Sequence, residues 1–394
     1  MTEQQIYELS CRLGSLTVFR NVLNTPTMRA FTGFLDTEKS NKERIELFGE
    51  FIFSLAEDNY SFSDFLCRAV YTDENKYICA AAQKADIPAV ISDNAKLELE
   101  LFTSLTRIES ADLWSTLEFS RRLPRFANKP VDFVTTYGER LKNVHKLGYG
   151  IFASAVMFRV EGEEIVPVKS ADTVDEHGFV GYEEERAQVF ENTEALINGR
   201  NAANVLLFGD AGTGKSSTVK ACVNRYADSG VRLIEVRKDQ LFSLSHVMGR
   251  IADNPLKFII FIDDLSFNKN DDCFSMLKAA LEGSASAKAK NAVIYATSNR
   301  RHIVKESFSD RGAENDVHHS DTVQELLSLS DRFGLTVYFE RPNKALYLDI
   351  VHKLAARYGI KEETERLDRL AEAFALKKGS RSPRAAEQFI YSLL

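Results

Sequence analysis

The segment that most constrains this chain is Gly209-Asp210-Ala211-Gly212-Thr213-Gly214-Lys215-Ser216, which satisfies GxxxxGK[ST]. An apolar run, Val205-Leu206-Leu207-Phe208, leads straight into it, and a helical stretch opens at Ser217. Strand, glycine loop and helix in that order make a phosphate cradle. The glycines let the backbone curl so that successive N–H groups converge on an anion, and the helix N-terminus adds its positive dipole end. Lys215 is a mobile cation for the β- and γ-phosphates, and the Ser216 hydroxyl is a ligand for Mg²⁺. The expectation is a nucleoside triphosphate site built on Gly209 to Ser217.

A loop of this kind hangs on a parallel sheet, and the surrounding pattern supplies one. Short apolar runs recur at Val205–Phe208, Arg232–Val236, Phe258–Ile262, Ala292–Ala296 and Leu335–Phe339, with helical stretches between them. Near-continuous apolar strands alternating with helices are what a sheet covered on both faces requires. The fold class expected is α/β: a doubly wound parallel-sheet P-loop core with a C-terminal helical lid and an N-terminal all-helical domain. The expected boundaries are 1–148 for the helical domain, 149–177 for a short β-hairpin and polar connector, 178–342 for the core and 343–394 for the lid. In the first domain, Ile45, Phe48, Phe51, Ile52 and Leu55 share a helical spacing, and Leu97, Leu101, Leu105 and Ile108 form a second stripe. In the lid, Leu346, Ile350, Leu354 and Tyr358 share one face before Gly359.

Of 394 residues, 44% are hydrophobic, which excludes general disorder. No apolar run approaches the roughly 18–20 residues of a membrane helix. The N-terminal residues lack the basic and apolar regions of a signal peptide, so a soluble cytoplasmic protein with no membrane partner is expected. Cys11, Cys67, Cys79, Cys222 and Cys273 are spread out with no CxxC pair, which reads as buried thiols rather than a disulfide framework or zinc site. The pair His318-His319 reads as a solvated loop rather than a metal site.

The next chemical signal is the apolar strand that ends in Asp263-Asp264. A carboxylate at the C-terminal edge of a buried strand places Asp263 to orient the water shell of Mg²⁺, and Asp264 to act as general base toward an attacking water.

With these segments in order, the chain resembles the AAA+ ATPase superfamily, which makes the nucleotide ATP. The glycine loop and the Asp263-Asp264 strand are similar to Walker A and Walker B. Ala296-Thr297-Ser298-Asn299 resembles sensor 1, which implies that Asn299 positions water near the γ-phosphate. Ser330-Asp331-Arg332-Phe333-Gly334 resembles the box carrying the arginine finger, so Arg332 would reach the nucleotide of a neighbouring subunit. Gly379-Ser380-Arg381-Ser382-Pro383-Arg384 resembles sensor 2, with Arg384 preferred and Arg381 the alternative. Phe179-Val180-Gly181-Tyr182-Glu183 resembles the loop beside the adenine, which adds Val180, Gly181 and Tyr182 to the cofactor contacts. More narrowly, Val168 to Leu394 looks like a bacterial family of stand-alone AAA+ proteins of uncharacterised role. One departure from the superfamily pattern is Asp264 where glutamate is usual, an acid one methylene shorter.

Three readings of function follow. The leading one is an ATPase that assembles as a homo-oligomer in the ATP state and remodels or loads a macromolecular partner, recruited as a protein through the N-terminal helices. The second, motivated by Asp264, is an ATP-dependent interaction switch with slow or absent turnover. The third is a nucleic-acid-dependent ATPase, motivated by Arg121-Arg122 with Arg125, Phe126 and Lys129, and by Arg300-Arg301 with Lys305. A net charge of −7, from 50 Lys+Arg against 57 Asp+Glu, disfavours nucleic acid as the partner. After Val236 the chain leaves only Arg237-Lys238 before a helix expected at Asp239, with Leu241 and Phe242 as its core. That spacing leaves no room for a projecting loop of the kind that grips polypeptide.

Overall fold

Thr2, Thr25, Ser40, Ser61, Asn75 and Asp132 each accept a backbone N–H at the start of a helix, and these caps partition the first 150 residues into helices. The computed structural model describes residues 1–114, 117, 123–168, 180–265, 276–277, 280–281, 289–299 and 332–394. It divides into two units, Met1–Ser154 and Ala155–Leu394. In the first unit the helices are α1 (Glu3–Gly14), α2 (Pro26–Leu35), α3 (Asn41–Ser54), α4 (Phe62–Thr72), α5 (Lys76–Ala82), α6 (Ala89–Leu105), α7 (Ser110–Trp114), α8 (Phe133–Lys142) and α9 (Val144–Leu147). Phe31, Phe51 and Phe62 pack with ring centroids 5.0–5.1 Å apart at the centre of its core. Such ring pairs each contribute about 0.5–1.5 kcal/mol beyond their buried area.

The structure revises several expectations, most of them in this unit. The α6 stripe is rotated: Leu101 and Leu105 are buried but Leu97 is 62% exposed. The buried face instead includes Glu98, whose carboxylate accepts the backbone N–H groups of Thr17, Val18 and Phe19. That satisfied anion takes an inward position that a hydropathy pattern assigns to an apolar residue. Phe126 is only 8% exposed and packs edge-on against Phe51 and Phe62, so it presents no ring to a base. Arg125 lies over the Trp114 ring, while Arg121 and Arg122 fall outside the described residues. Cys222 is buried, but Cys67 and Cys79 are half-buried and Cys11 is exposed, so the thiols are not uniformly internal. None of these four is in a disulfide; Cys273 lies outside the described residues.

In the second unit the apolar runs become strands: β1 (Met157–Glu161), β2 (Glu164–Pro167), β3 (Val205–Gly209), β4 (Val231–Glu235), β5 (Lys257–Ile262), β6 (Ala292–Asn299) and β7 (Leu335–Phe339). They form one sheet of order β2-β1-β4-β5-β6-β3-β7. The β1–β2 hairpin is antiparallel and every other pairing is parallel. With α10 (Glu183–Ile197), α11 (Lys215–Tyr226) and α12 (Leu244–Ile251), this is an AAA+ core. Phe258 to Ile262 are each completely buried, as a central parallel strand requires. The lid follows as α13 (Lys344–Arg357), α14 (Thr364–Lys378) and α15 (Pro383–Tyr391), with its own core around Tyr347, Ile350, Leu354, Phe389 and Ile390. Among the described residues no helix is long and apolar enough to cross a membrane.

After β4 the expected helix is a 3-10 turn, Lys238–Ser243. In that geometry residues three apart eclipse, so Gln240 and Ser243 both face inward, with Leu241 beside them at 2% exposure. Phe242 points away and is 55% exposed, contrary to its expected place in the core.

Candidate nucleotide-binding site

Sheet register brings the chemistry together. Gly209, the last residue of β3, pairs with Asn299 of β6 on one side and Phe339 of β7 on the other. It has a φ of +143°, and a Cβ there would lie 2.0 Å from the Phe339 carbonyl oxygen, so only glycine fits. Gly212 and Gly214 turn the loop with φ of +77° and +94°, and α11 begins at Lys215. Thr213 is buried and its hydroxyl donates to the Asp210 carbonyl across the loop, whereas Ala211 is exposed at the tip.

Lys215 is 6% exposed. Its ammonium donates to the carbonyls of Gly209 at 3.0 Å and Asp210 at 2.7 Å, and to Asn299 Oδ1 at 3.3 Å. Burial holds it below the ordinary lysine range; Asp210, Asp263 and Asp264 pull the other way, and Arg384 adds to the depression. A phosphate is the anion that would offset the cost of this buried cation.

Ile262 of β5 pairs with Ala296 of β6, so Asp263 and Asp264 emerge beside Thr297. Ser216 Oγ donates to Asp263 Oδ1 at 2.6 Å, and Asn299 Nδ2 donates to Asp264 Oδ1 at 2.7 Å. Asn299 thus joins the loop lysine to the second acid. The hydroxyl and carboxylate of Ser216 and Asp263 are hard oxygen donors, and they fit Mg²⁺, which takes few protein ligands and keeps water and phosphate oxygens. Among the described residues there is no group of three or more His, Cys, Asp or Glu that could hold a metal without such help.

A cavity of about 370 Å³ adjoins the loop. Gly212, Thr213, Gly214, Ser217 and Arg384 line it on the side of the glycine loop. Val180, Tyr182, Ile350, Leu354 and Tyr358 also line it, the last three from α13 and its C-cap. Gly181 has a φ of +80° and abuts Leu346 and Ile350 without a Cβ. Tyr182 sits in the left-handed region, its hydroxyl donates to the Glu340 carbonyl, and burial raises its pKa. The two lid arginines separate clearly. Arg381 makes a bidentate bond to Glu372 at 2.7 and 2.9 Å, while Arg384 lines the cavity and its backbone N–H donates to the Gly212 carbonyl.

Arg332 is not brought to this cluster. It precedes β7, whose Leu335 pairs with Val205 at the start of β3, whereas the glycine loop leaves the far end. The five residues of β3 put about 17 Å of strand between the two edges. Ser330, Asp331, Phe179, Arg300, Arg301, Lys305, His318 and His319 lie outside the described residues.

The sequence reading missed the cavity-lining role of Arg186, Arg357 and Glu387, and assigned no role to Thr297. The lid face Leu346, Ile350, Leu354 is visible as a periodic stripe, but periodicity does not say that one edge of it borders a cavity. A family model described as "Protein of unknown function (DUF815)" matches residues 153–394. No curated protein matches the chain.

Proposed function

The chain belongs to the DUF815 family of AAA-like P-loop proteins, and on that premise we propose that it binds Mg-ATP, hydrolyses it, and uses the cycle to remodel or load a macromolecular partner. The observation that carries this is the single hydrogen-bonded network running from Lys215 through Asn299 to Asp264, beside the Ser216–Asp263 pair. Lys215 and the loop N–H groups hold the β- and γ-phosphates; Ser216 and Asp263 would hold a hydrated cation, which would supply positive charge beside the phosphates. Asp264 accepts the proton of the attacking water, which Asn299 helps to orient. Val180, Gly181 and Tyr182 flank the base, and Arg384 carries the lid onto the phosphates.

Arg332 acts on the nucleotide of a neighbouring copy, in keeping with its place at the opposite edge of the sheet from its own glycine loop. A residue of that kind is useful only in an assembly, so the active state is a homo-oligomer. The helical first unit recruits a protein partner. Binding of a fluorescent ATP analogue and phosphate release test the reading together. Lys215→Ala should abolish binding, while Asp264→Asn should bind and not turn over. Normal hydrolysis by Asp264→Asn would refute the base assignment.

A second reading, an ATP-dependent switch with little turnover, draws on the short Asp264 side chain already engaged by Asn299. Equal, near-zero rates for the native protein and Arg332→Ala, with ATP binding intact, would favour it.

A further inference from the structure

Two side chains at the end of β6 hold the acidic segment in place, and neither has a part in the scheme above. Ser298 Oγ donates to the Leu265 carbonyl, and the Thr297 carbonyl accepts the Leu265 N–H at 2.7 Å. The Thr297 hydroxyl is the more telling contact, because it is used twice. It donates to Asp263 Oδ1 at 2.5 Å and accepts the Asp264 N–H at 2.9 Å. Thr297 itself is 2% exposed, although Asp263 and Asp264 lie at the exposed end of the strand, so the hydroxyl is held in place by the sheet.

The second bond sits where the backbone is unusual. Asp264 has a φ of +52°, in the left-handed region that side chains other than glycine rarely enter, and Asp and Asn enter it more readily than longer residues. That turn aims the Asp264 carboxylate at Asn299. The shorter acid suits this backbone, because Asp enters the left-handed region more readily than most residues. The same hydroxyl holds Asp263 Oδ1, the oxygen that also receives the Ser216 hydroxyl.

We propose that Thr297 is the positioning residue of the carboxylate pair: its hydroxyl fixes Asp263 for a hydrated divalent cation and stabilises the left-handed turn that presents Asp264. The proposal rests on the nucleotide reading above. Outer groups that orient a metal-binding carboxylate typically alter metal affinity or activity by about 10- to 100-fold when removed. Thr297→Val keeps the shape, removes the donor to Asp263 and leaves the Asp264 N–H without this acceptor.

The test is equilibrium binding of a non-hydrolysable fluorescent ATP analogue to the full chain, in EDTA and across a Mg²⁺ titration. In Thr297→Val the Mg²⁺ midpoint should rise by about 10- to 100-fold while binding in EDTA stays within about twofold of the native protein. Thr297→Ser, which restores the hydroxyl, should return the native midpoint. An unchanged midpoint in Thr297→Val would overturn the proposal, and so would an equal loss with and without Mg²⁺, which marks a merely structural role. If Thr297→Val does not fold, the pair Thr297→Ala and Thr297→Ser decides on the same midpoints. A native protein that binds the analogue in neither condition would overturn the nucleotide reading and this proposal with it. A native protein that binds while Thr297→Val matches it would overturn the proposal alone.

Discussion

Asn299→Ala isolates the residue that ties the loop lysine to the second acid. Its amide makes two bonds, donating to Asp264 Oδ1 at 2.7 Å and accepting from Lys215 Nζ at 3.3 Å. A hydrogen bond to a charged group contributes about 1.5–3 kcal/mol net, and the longer of these two belongs at or below the bottom of that range. Because Lys215 retains the Gly209 and Asp210 carbonyls, its ammonium should keep its position when Asn299 is cut back. On the proposed mechanism, most of the loss therefore falls on Asp264 and on the water it would activate. About 2–3 kcal/mol of lost transition-state stabilisation corresponds to a fall of about 30- to 150-fold in turnover. Nucleotide affinity should move by less than about threefold, since ground-state contacts are preserved. Phosphate release at saturating Mg-ATP, with affinity measured in parallel by the fluorescent analogue, reads both quantities. Unchanged turnover, or a loss confined to affinity, would refute the assignment of Asn299 to the reacting water.

Gly209→Ala should destabilise the second unit by more than about 2 kcal/mol in urea unfolding, because the new Cβ would meet the Phe339 carbonyl at 2.0 Å on a left-handed backbone; native stability would show that β7 yields there at little cost. Arg332→Ala should lose turnover while the nucleotide affinity of dilute subunits is unchanged, and a loss of affinity in the monomer would place the residue on its own site instead. The Arg381 bond holds the Glu372 carboxyl below its ordinary value of 4.5. Its stabilising contribution is thus fully present above that value and is lost as pH falls through the lower folded pKa. The Tm difference between the native protein and Glu372→Gln should therefore shrink on going from neutral pH to about pH 3; a constant difference would mean that the pair does not couple to lid stability.

The sequence made the glycine loop, the two acids and Asn299 legible because each is fixed by a local requirement. Gly209 must lack a Cβ, Lys215 must follow a tight turn, and Asp263 must end a buried strand. Thr297 has no such local mark. Its role exists only because β5 and β6 pair in the register that sets Ile262 against Ala296, and register is a long-range property. Leu97 was misplaced for the opposite reason: the inward position beside it is taken by Glu98, a carboxylate satisfied by three backbone donors, which a hydropathy stripe does not count as internal. Phe242 turned outward because a 3-10 turn has a different period from the α-helix expected there. The choice between Arg381 and Arg384 depended on Glu372, which sits on the preceding helix and has no sequence signal linking it to either arginine.

The position of β3 in the sheet also bears on how this unit is made. Val205 pairs with Tyr295 on one side and Leu335 on the other, so the strand carrying the glycine loop is complete only when much later parts of the chain have arrived. Pairings this distant slow folding, because loop-closure entropy is spent before the contacts repay it. During synthesis the loop strand waits with both edges unpaired, a state prone to wrong pairing. Truncation just after β6 would leave one of those edges permanently open. The nucleotide site should accordingly be among the last parts of the second unit to become competent, so added nucleotide should slow unfolding and leave the refolding rate nearly unchanged.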